Sequence, residues 1–352
     1  MNNDSAAYHL SGMALPGGWV VHERIEMPPG KTGSACSVGY FVVGSDGRQG
    51  FLKAFDYSAA LAADDPPQEF ASLFNQYNAE RELLEQCDGR KLDRIVRIWA
   101  SGTTHVPGIQ PDAVSYLIFE RAHGDARDAV SAADEADHAS MLQMAHHAAV
   151  GVAQLHSIGG AHQDLKPSNL LFWWDDVYPE AKLGDLGCAY LSGRPVLHDD
   201  DRVAGDPTYA APEQLYDGEC GLEPDRRRVA ADMYMFGGLV CFLLTGVPYN
   251  GIQAMSLDAT LGWNVWQGDF IEVLPALVDA HGIATGRLEE VLDRNIASDV
   301  AEIIWQLCHP DPLVRGDPKA RQYGHNPFGL TRYVSRLNLI HRRASFDARR
   351  SA

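Results

Sequence analysis

The run PPGKTGSACSVGYFVV at residues 28–43 sets Lys31 between a glycine and a threonine, a trio suited to holding phosphate with backbone N–H groups and an ammonium. An ATPase-type loop needs another glycine with four residues between it and Gly30, and a helix directly afterwards whose free N–H groups complete the cradle. Ile25 stands at that position, and the residues that follow, SVGYFVVG, read as a strand. The other arrangement is a glycine-containing turn between two strands that leads through a hairpin to a lysine, a flap over phosphates. Lysine occurs only at 31, 53, 91, 166, 182 and 319, so each one bears on the question.

Alternation supplies the elements for such a hairpin. WVVHERIEM, SVGYFVVG, the turn signal Ser45-Asp46-Gly47 and GFLKAF predict an antiparallel meander up to residue 56. PQEFASLFNQYNAERELLEQC has helical spacing over 67–87, and RIVRIWASG and AVSYLIFERA read as two further strands. The preceding AADDPP at 62–67 reads as an inserted loop. After residue 130 helices take over, MLQMAHHAAVGVAQLHSIG and ADMYMFGGLVCFLLTG being the clearest. NPFGLTRYVSRLNLI predicts a last helix before a basic tail, HRRASFDARR. Strands followed by helices define an α+β chain.

Composition narrows the partners. The 352 residues are 45% hydrophobic and 22% charged, the usage of a folded globular chain. A net charge of −18 disfavours nucleic acid and anionic membrane, which require Lys and Arg to displace counterions. The N-terminus MNNDSAAYHLSG lacks the basic start and apolar stretch of a secretion signal, so a cytoplasmic location is expected. The longest apolar run, at 236–247, falls short of the roughly 20 residues of a bilayer span and reads as a buried helix. Six cysteines without a CxxC pair predict reduced thiols, no disulfide and no structural metal.

Three strings then occur in order: AHQDLKPSNLLF at 161–172, LGDLG at 183–187 and DPTYAAPEQL at 206–215. Together they resemble the protein kinase family, in its Ser/Thr branch and bacterial type, over about residues 19–320. The HRDLKPxN pattern is met by His162-Gln163-Asp164-Leu165-Lys166-Pro167-Ser168-Asn169, DFG by Asp185-Leu186-Gly187 and APE by Ala211-Pro212-Glu213.

The resemblance implies a bilobal α+β fold with a small antiparallel-sheet N-lobe at 19–122 and a larger helical C-lobe at 123–320. An N-terminal tail at 1–18 and a C-terminal helix with a basic tail at 321–352 would flank them. It implies ATP and Mg²⁺ as cofactors and a protein substrate with a Ser or Thr acceptor. By the same resemblance Gly33, in the flap, and Val38 would help bind the cofactor, Lys53 would hold the α and β phosphates, and Glu80 would hold Lys53. Leu84 and Cys87, four and seven positions after Glu80, would then face the core. Glu120 to Ala122 would form the hinge that reads adenine, behind which Phe119 sits. Asp185 and Asn169 would hold the metal, Lys166 would neutralise the γ-phosphate, and Asp164 would orient the acceptor hydroxyl and take its proton. Asp232 would brace the catalytic loop and Arg315 would pair with Glu213.

Departures from the pattern are equally specific. Lys31 and Cys36 stand where the flap usually has glycine, and Phe51 where a small alanine roofs the adenine. Gln163 replaces an arginine that in most relatives waits for a phosphate on the activation segment. Residues 188–205 offer only Tyr190 and Ser192 as acceptors and carry Asp199-Asp200-Asp201, so activity without such phosphorylation is expected. Asp206 brings a second carboxylate near Asp164. Arg342-Arg343-Ala344-Ser345-Phe346 resembles a basic-directed recognition sequence and makes Ser345 a candidate for self-phosphorylation. The alternative to an active kinase is a kinase-like scaffold or nucleotide sensor. Small-molecule phosphorylation fits less well, because enzymes of that kind generally lack the APE segment.

Overall fold

A computed structural model describes residues 5–26, 37–133, 138–174, 179–194, 203–218 and 220–351. They fall into two compact units, Met1–Ala122 and His123–Ala352.

The first unit is built on one antiparallel sheet. Its strands are β1 (Ala14–Leu15), β2 (Trp19–Arg24), β3 (Ser37–Gly44), β4 (Gln49–Phe55), β5 (Ile98–His105) and β6 (Ala113–Glu120), in the order β1-β2-β3-β4-β6-β5. The β3–β4 hairpin turns at Gly47, whose φ of 82° favours glycine. Because side chains alternate between faces, Tyr40, Val42, Leu52, Ala54, Tyr116 and Ile118 line one buried face. Phe51 and Lys53 lie on the other.

Residues 6–15 are not a tail. Ala6, Ala7, Leu10 and Leu15 are buried in that core, β1 pairs with β2, and the Tyr40 hydroxyl donates to the Ala7 carbonyl at 2.7 Å. Tyr40 thereby ties a short segment, without periodicity of its own, to the sheet.

Two helices connect β4 to β5: α1 (Ser58–Leu61) and α2 (Pro66–Gly89). Part of the expected loop at 62–67 starts α2. Asp65 is its N-cap, accepting from Gln68 N at 3.2 Å, and Pro66 follows in the first turn, where a missing N–H costs nothing. The helix buries Leu73, Tyr77, Glu80, Leu84 and Cys87 along one stripe.

The second unit is mainly helical. Its strands are short: β7 (Gly124–Asp125), β8 (Gly160–Ala161), β9 (Leu170–Trp174), β10 (Pro179–Leu183) and β11 (Tyr190–Leu191), paired as β10-β9-β7 and β11-β8. The helices are α3 (Ala126–Ala132), α4 (His138–Ser157), α5 (Pro212–Leu215), α6 (Pro224–Thr245), α7 (Tyr249–Ala254), α8 (Phe270–Val291), α9 (Ala297–Leu307), α10 (Pro318–Gln322) and α11 (Thr331–Ser351). Helix α6 is long and apolar enough to span a bilayer by length and composition, yet 83% of its most apolar stretch is buried inside the protein. It is the core helix expected of 236–247, and α4 and α9 pack on it.

The expected basic tail is helical too. Helix α11 buries Leu337, Ile340, His341 and Ser345 on one face and exposes Arg342, Arg343 and Phe346 on the other. His341 Nδ1 meets the Ala139 carbonyl at 2.9 Å, fixing the helix to α4. The arginines conceal an amphipathic period that continues past Ile340.

Candidate active site

In the first unit Lys53 lies mid-strand in β4 and Glu80 about four turns into α2. Both Glu80 oxygens accept from Lys53 Nζ, at 3.0 and 2.9 Å, with the Glu80 side chain 1% and that of Lys53 12% exposed. Phe55 sets the helix against this end of the strand through an edge contact with Tyr77, ring centroids 5.1 Å apart. Glu82 is exposed and 3.8 Å from Arg81, so the choice between the two glutamates follows from which face of α2 is buried.

Val38 does not join them. It pairs with Ala54 across the β3–β4 ladder and is 7% exposed, on the core face. Gly39 pairs with Lys53, and directly opposed residues share a face. Gly39 therefore takes the position given to Val38, because a shift of one residue reverses every side chain. Phe51 fills the space above it: a Cβ on Gly39 would lie 2.9 Å from Phe51 Cε2. Phe119 is 6.4 Å from Phe51, ring to ring. Glu120 closes the end of β6, its N–H donating to Arg97 O at 3.2 Å and its Oε1 accepting from Arg97 N at 2.9 Å. Ala122 is the last residue of the unit. Gly33, with Lys31 and Cys36, lies outside the described residues.

In the second unit the loop between β8 and β9 carries Asp164, Lys166 and Asn169. Asp164 Oδ2 accepts from Asn169 Nδ2 at 3.0 Å and lies 2.8 Å from Lys166 Nζ, while Oδ1 accepts from Asp206 N at 2.9 Å. Three donors thus fix one buried carboxylate. The Asp206 backbone can approach because residue 205 is glycine; a Cβ there would lie 2.5 Å from Asp164 Oδ1. The Asp206 carboxylate turns away to cap Thr208 N at 2.9 Å. Burial works to lower the Lys166 pKa, but Asp164, and then Asp206 and Asp185, outweigh it and raise it. The ammonium is therefore charged at neutral pH.

The loop is held from behind. Asp232 on α6, fully buried, accepts from His162 N at 2.7 Å, Gln163 N at 2.8 Å, Gln163 Nε2 at 2.9 Å and His156 Nε2 at 2.9 Å. Burial would raise its pKa, but these bonds, led by that from His156, hold the carboxyl below the usual range. His162 Nε2 lies 3.1 Å from Gly184 O, tying the loop to the residue before Asp185. Gln163 and Asp185 both have positive φ, 63° and 54°. Non-glycine residues so placed are uncommon and concentrate at functional sites.

Among the described residues no three His, Cys, Asp or Glu side chains gather as a metal site. Mg²⁺ carried by a nucleotide needs less, one or two side-chain oxygens completed by phosphate and water. The exposed Asp185 carboxylate and Asn169 Oδ1 meet that need in kind; Asn169 Nδ2 is committed to Asp164, which leaves its oxygen as the acceptor end.

Sequence reasoning missed His156, Gly205 and the backbone N–H of Asp206. Only Gly205, a glycine one residue before a motif, carries a sequence signal. Farther along, Glu213 and Arg315 form the buried pair expected of them, at 2.7 Å.

The family model described as protein kinase domain matches residues 46–328. This chain belongs to the protein kinase family. The match starts after the glycine-containing run at 28–43. Among similar proteins, the serine/threonine-protein kinase DCLK1 of Rattus norvegicus is 32% identical over 135 residues, 38% of this chain and 29% of that protein. RAD53 of Saccharomyces cerevisiae is 27% identical over 195 residues, 52% of this chain and 23% of that protein. DCLK3 of Homo sapiens is 31% identical over 208 residues, 58% of this chain and 28% of that protein. The chain thus spans less than a third of the length of these relatives.

Proposed function

We propose that the chain is an ATP-dependent Ser/Thr protein kinase that works without phosphorylation of its activation segment. The observation that carries this reading is the Asp164 carboxylate, oriented by Asn169 Nδ2, Asp206 N and Lys166 Nζ. Phosphoryl transfer asks the protein for position and charge neutralisation rather than covalent chemistry. Asp164 orients the acceptor hydroxyl and receives its proton as the oxygen attacks the γ-phosphorus and ADP leaves. Lys166 offsets charge on the transferred group, and Lys53, kept in place by Glu80, binds the non-transferred phosphates. Mg²⁺, when bound through Asp185 and Asn169, neutralises phosphate charge. Catalysis by a positioned base contributes about 10²–10⁴ in rate.

Independence from phosphorylation is supported at residue 163. The neutral Gln163 amide donates to Arg228 O and Asp232 Oδ1, both at 2.9 Å. Gln163 itself carries no charge to await a phosphate. Protein substrates with Ser or Thr acceptors and a cytoplasmic location belong to the same reading. Self-phosphorylation at Ser345 requires the end of α11 to open, because the hydroxyl is buried there and donates to His341 O at 2.8 Å.

One observation favours the second reading, a nucleotide-sensing scaffold: Phe51 crowds the sheet face beside Lys53. A transfer assay with Mg·ATP and casein, run beside a thermal-shift titration, separates the two. The expected result is phosphate transfer by the wild type and none by Asp164→Asn, with the nucleotide-induced shift retained. A shift without transfer in the wild type overturns the kinase reading in favour of the scaffold.

A further inference from the structure

Helix α6 uses one stripe, Asp225, Arg228 and Asp232, to hold both the catalytic loop and the segment that follows Asp185. The spacing i, i+3, i+7 puts the three on one face. Asp232 takes the backbone N–H groups of His162 and Gln163. The Arg228 carbonyl takes the Gln163 amide, while its guanidinium lies over the Tyr190 ring, 4.5 Å from the centroid. Asp225 accepts from Ser192 Oγ at 2.7 Å on one oxygen and from the Tyr190 hydroxyl on the other.

Asp225 sits in the first turn of α6, where a carboxylate would ordinarily serve the helix's own N–H groups. Both oxygens instead go to two hydroxyls of another segment, more than 30 positions earlier. Those hydroxyls, Tyr190 first, hold its carboxyl below the usual carboxylate range. The segment so anchored leads to Asp164. Ser192 N donates to Gly159 O at 2.9 Å beside the β11–β8 pair, and Cys188 Sγ donates to Ala204 O at 3.0 Å, bringing Gly205 and Asp206 N up to the Asp164 carboxylate.

We propose that Asp225 is a positioning residue for phosphoryl transfer: through the Tyr190 and Ser192 hydroxyls it fixes the residues around 188–192 to α6, and through the Cys188–Ala204 bond the Asp206 N–H, the service a phosphate performs elsewhere. This rests on the kinase reading above. It explains how the two possible acceptors of the segment are used: as hydrogen-bond donors whose modification would put a phosphate dianion against a carboxylate.

Two measurements on phosphatase-treated full chain test it: amide hydrogen exchange at Ser192, and steady-state transfer to casein. Two hydrogen bonds to a charged acceptor set the scale, so Asp225→Ala should raise exchange at Ser192 about tenfold. The KM for casein should rise by a similar factor of about ten while the KM for ATP stays within about twofold. The pair Tyr190→Phe/Ser192→Ala should reproduce both effects, and adding Asp225→Ala to that pair should change nothing further. Wild-type exchange and KM in Asp225→Ala, or effects that add in full, overturn the proposal. A wild type that transfers no phosphate defeats the kinase reading instead, and the exchange comparison alone then decides whether the clamp exists.

Discussion

Both carboxylate oxygens of Glu80 accept from the Lys53 ammonium, at 3.0 and 2.9 Å, at a site where the glutamate is almost wholly removed from water. A charge so aimed cannot wander among rotamers, so under the proposed function a phosphate would meet it without reorganisation. Lys53→Met should lower kcat/KM for ATP by about 10²-fold or more, the scale of one lost preorganised donor. Glu80→Gln retains the shape and one acceptor and should cost less, about tenfold. Steady-state kinetics checks both, with circular dichroism to show an unchanged fold. Equal losses in the two variants would mean that the pair acts through the fold rather than through phosphate.

A second ion pair bears on stability. Arg315, fully buried, gives all five of its donors to partners: two to Glu213 at 2.7 Å each, and the others to His309, Ala230 and Pro310 carbonyls. Removing Glu213 leaves a guanidinium buried without its counterion. Glu213→Ala should destabilise by about 3–5 kcal/mol, the scale for an orphaned buried charge. Urea denaturation measures it. A loss under about 1 kcal/mol, typical of an exposed pair, would contradict the burial described.

His281 makes stability depend on pH. Its ring is enclosed between the Tyr249 hydroxyl, which donates to Nδ1, and the Trp305 carbonyl, which accepts from Nε2 at 3.1 Å. Burial, with His309 and Arg315 nearby, pushes its pKa from 6.5 down to about 3. Between those values the unfolded chain binds a proton that the folded chain refuses, so stability falls as pH falls, by up to about 1.4 kcal/mol per unit. From pH 7 to pH 5 this one residue should remove about 2 kcal/mol. His281→Gln should be less stable at pH 7 yet lose less between the two pH values. Parallel slopes for variant and wild type would refute the assignment.

The sequence made some of this legible and hid the rest for definable reasons. That Lys53 meets Glu80, and that Asp164, Lys166 and Asn169 gather on one loop, is readable from short strings and from the helical spacing of Glu80, Leu84 and Cys87. Val38 was misplaced by one register step, which in a strand is the whole difference between core and site. Residues 6–15 carry no period, and their burial is decided by Tyr40, some 30 positions on. In α11 the arginines obscured a face formed by Leu337, Ile340 and Ser345. The Asp225 clamp joins residues more than 30 apart in sequence through bonds that no local pattern records.

Phe51 gives the last prediction. It shares its sheet face with Lys53, two positions on in β4, and presses on Gly39, where even a methyl group would come within 2.9 Å of the ring. The resemblance to protein kinases puts an alanine at this position, above the adenine ring. On the proposed reading a phenyl group there would occupy volume that a purine needs, and Phe119, at 6.4 Å, limits its retreat to one side. Phe51→Ala should therefore lower the KM for ATP, by about three- to tenfold on the scale of a few methylene-sized contacts regained, with a smaller change in kcat. The partly buried ring also packs against the sheet, so the variant should melt at a lower temperature without nucleotide and recover part of that loss when Mg·ATP is present. A KM that rises, with no gain in nucleotide-induced stabilisation, would mean that the ring stacks on the base instead of crowding it.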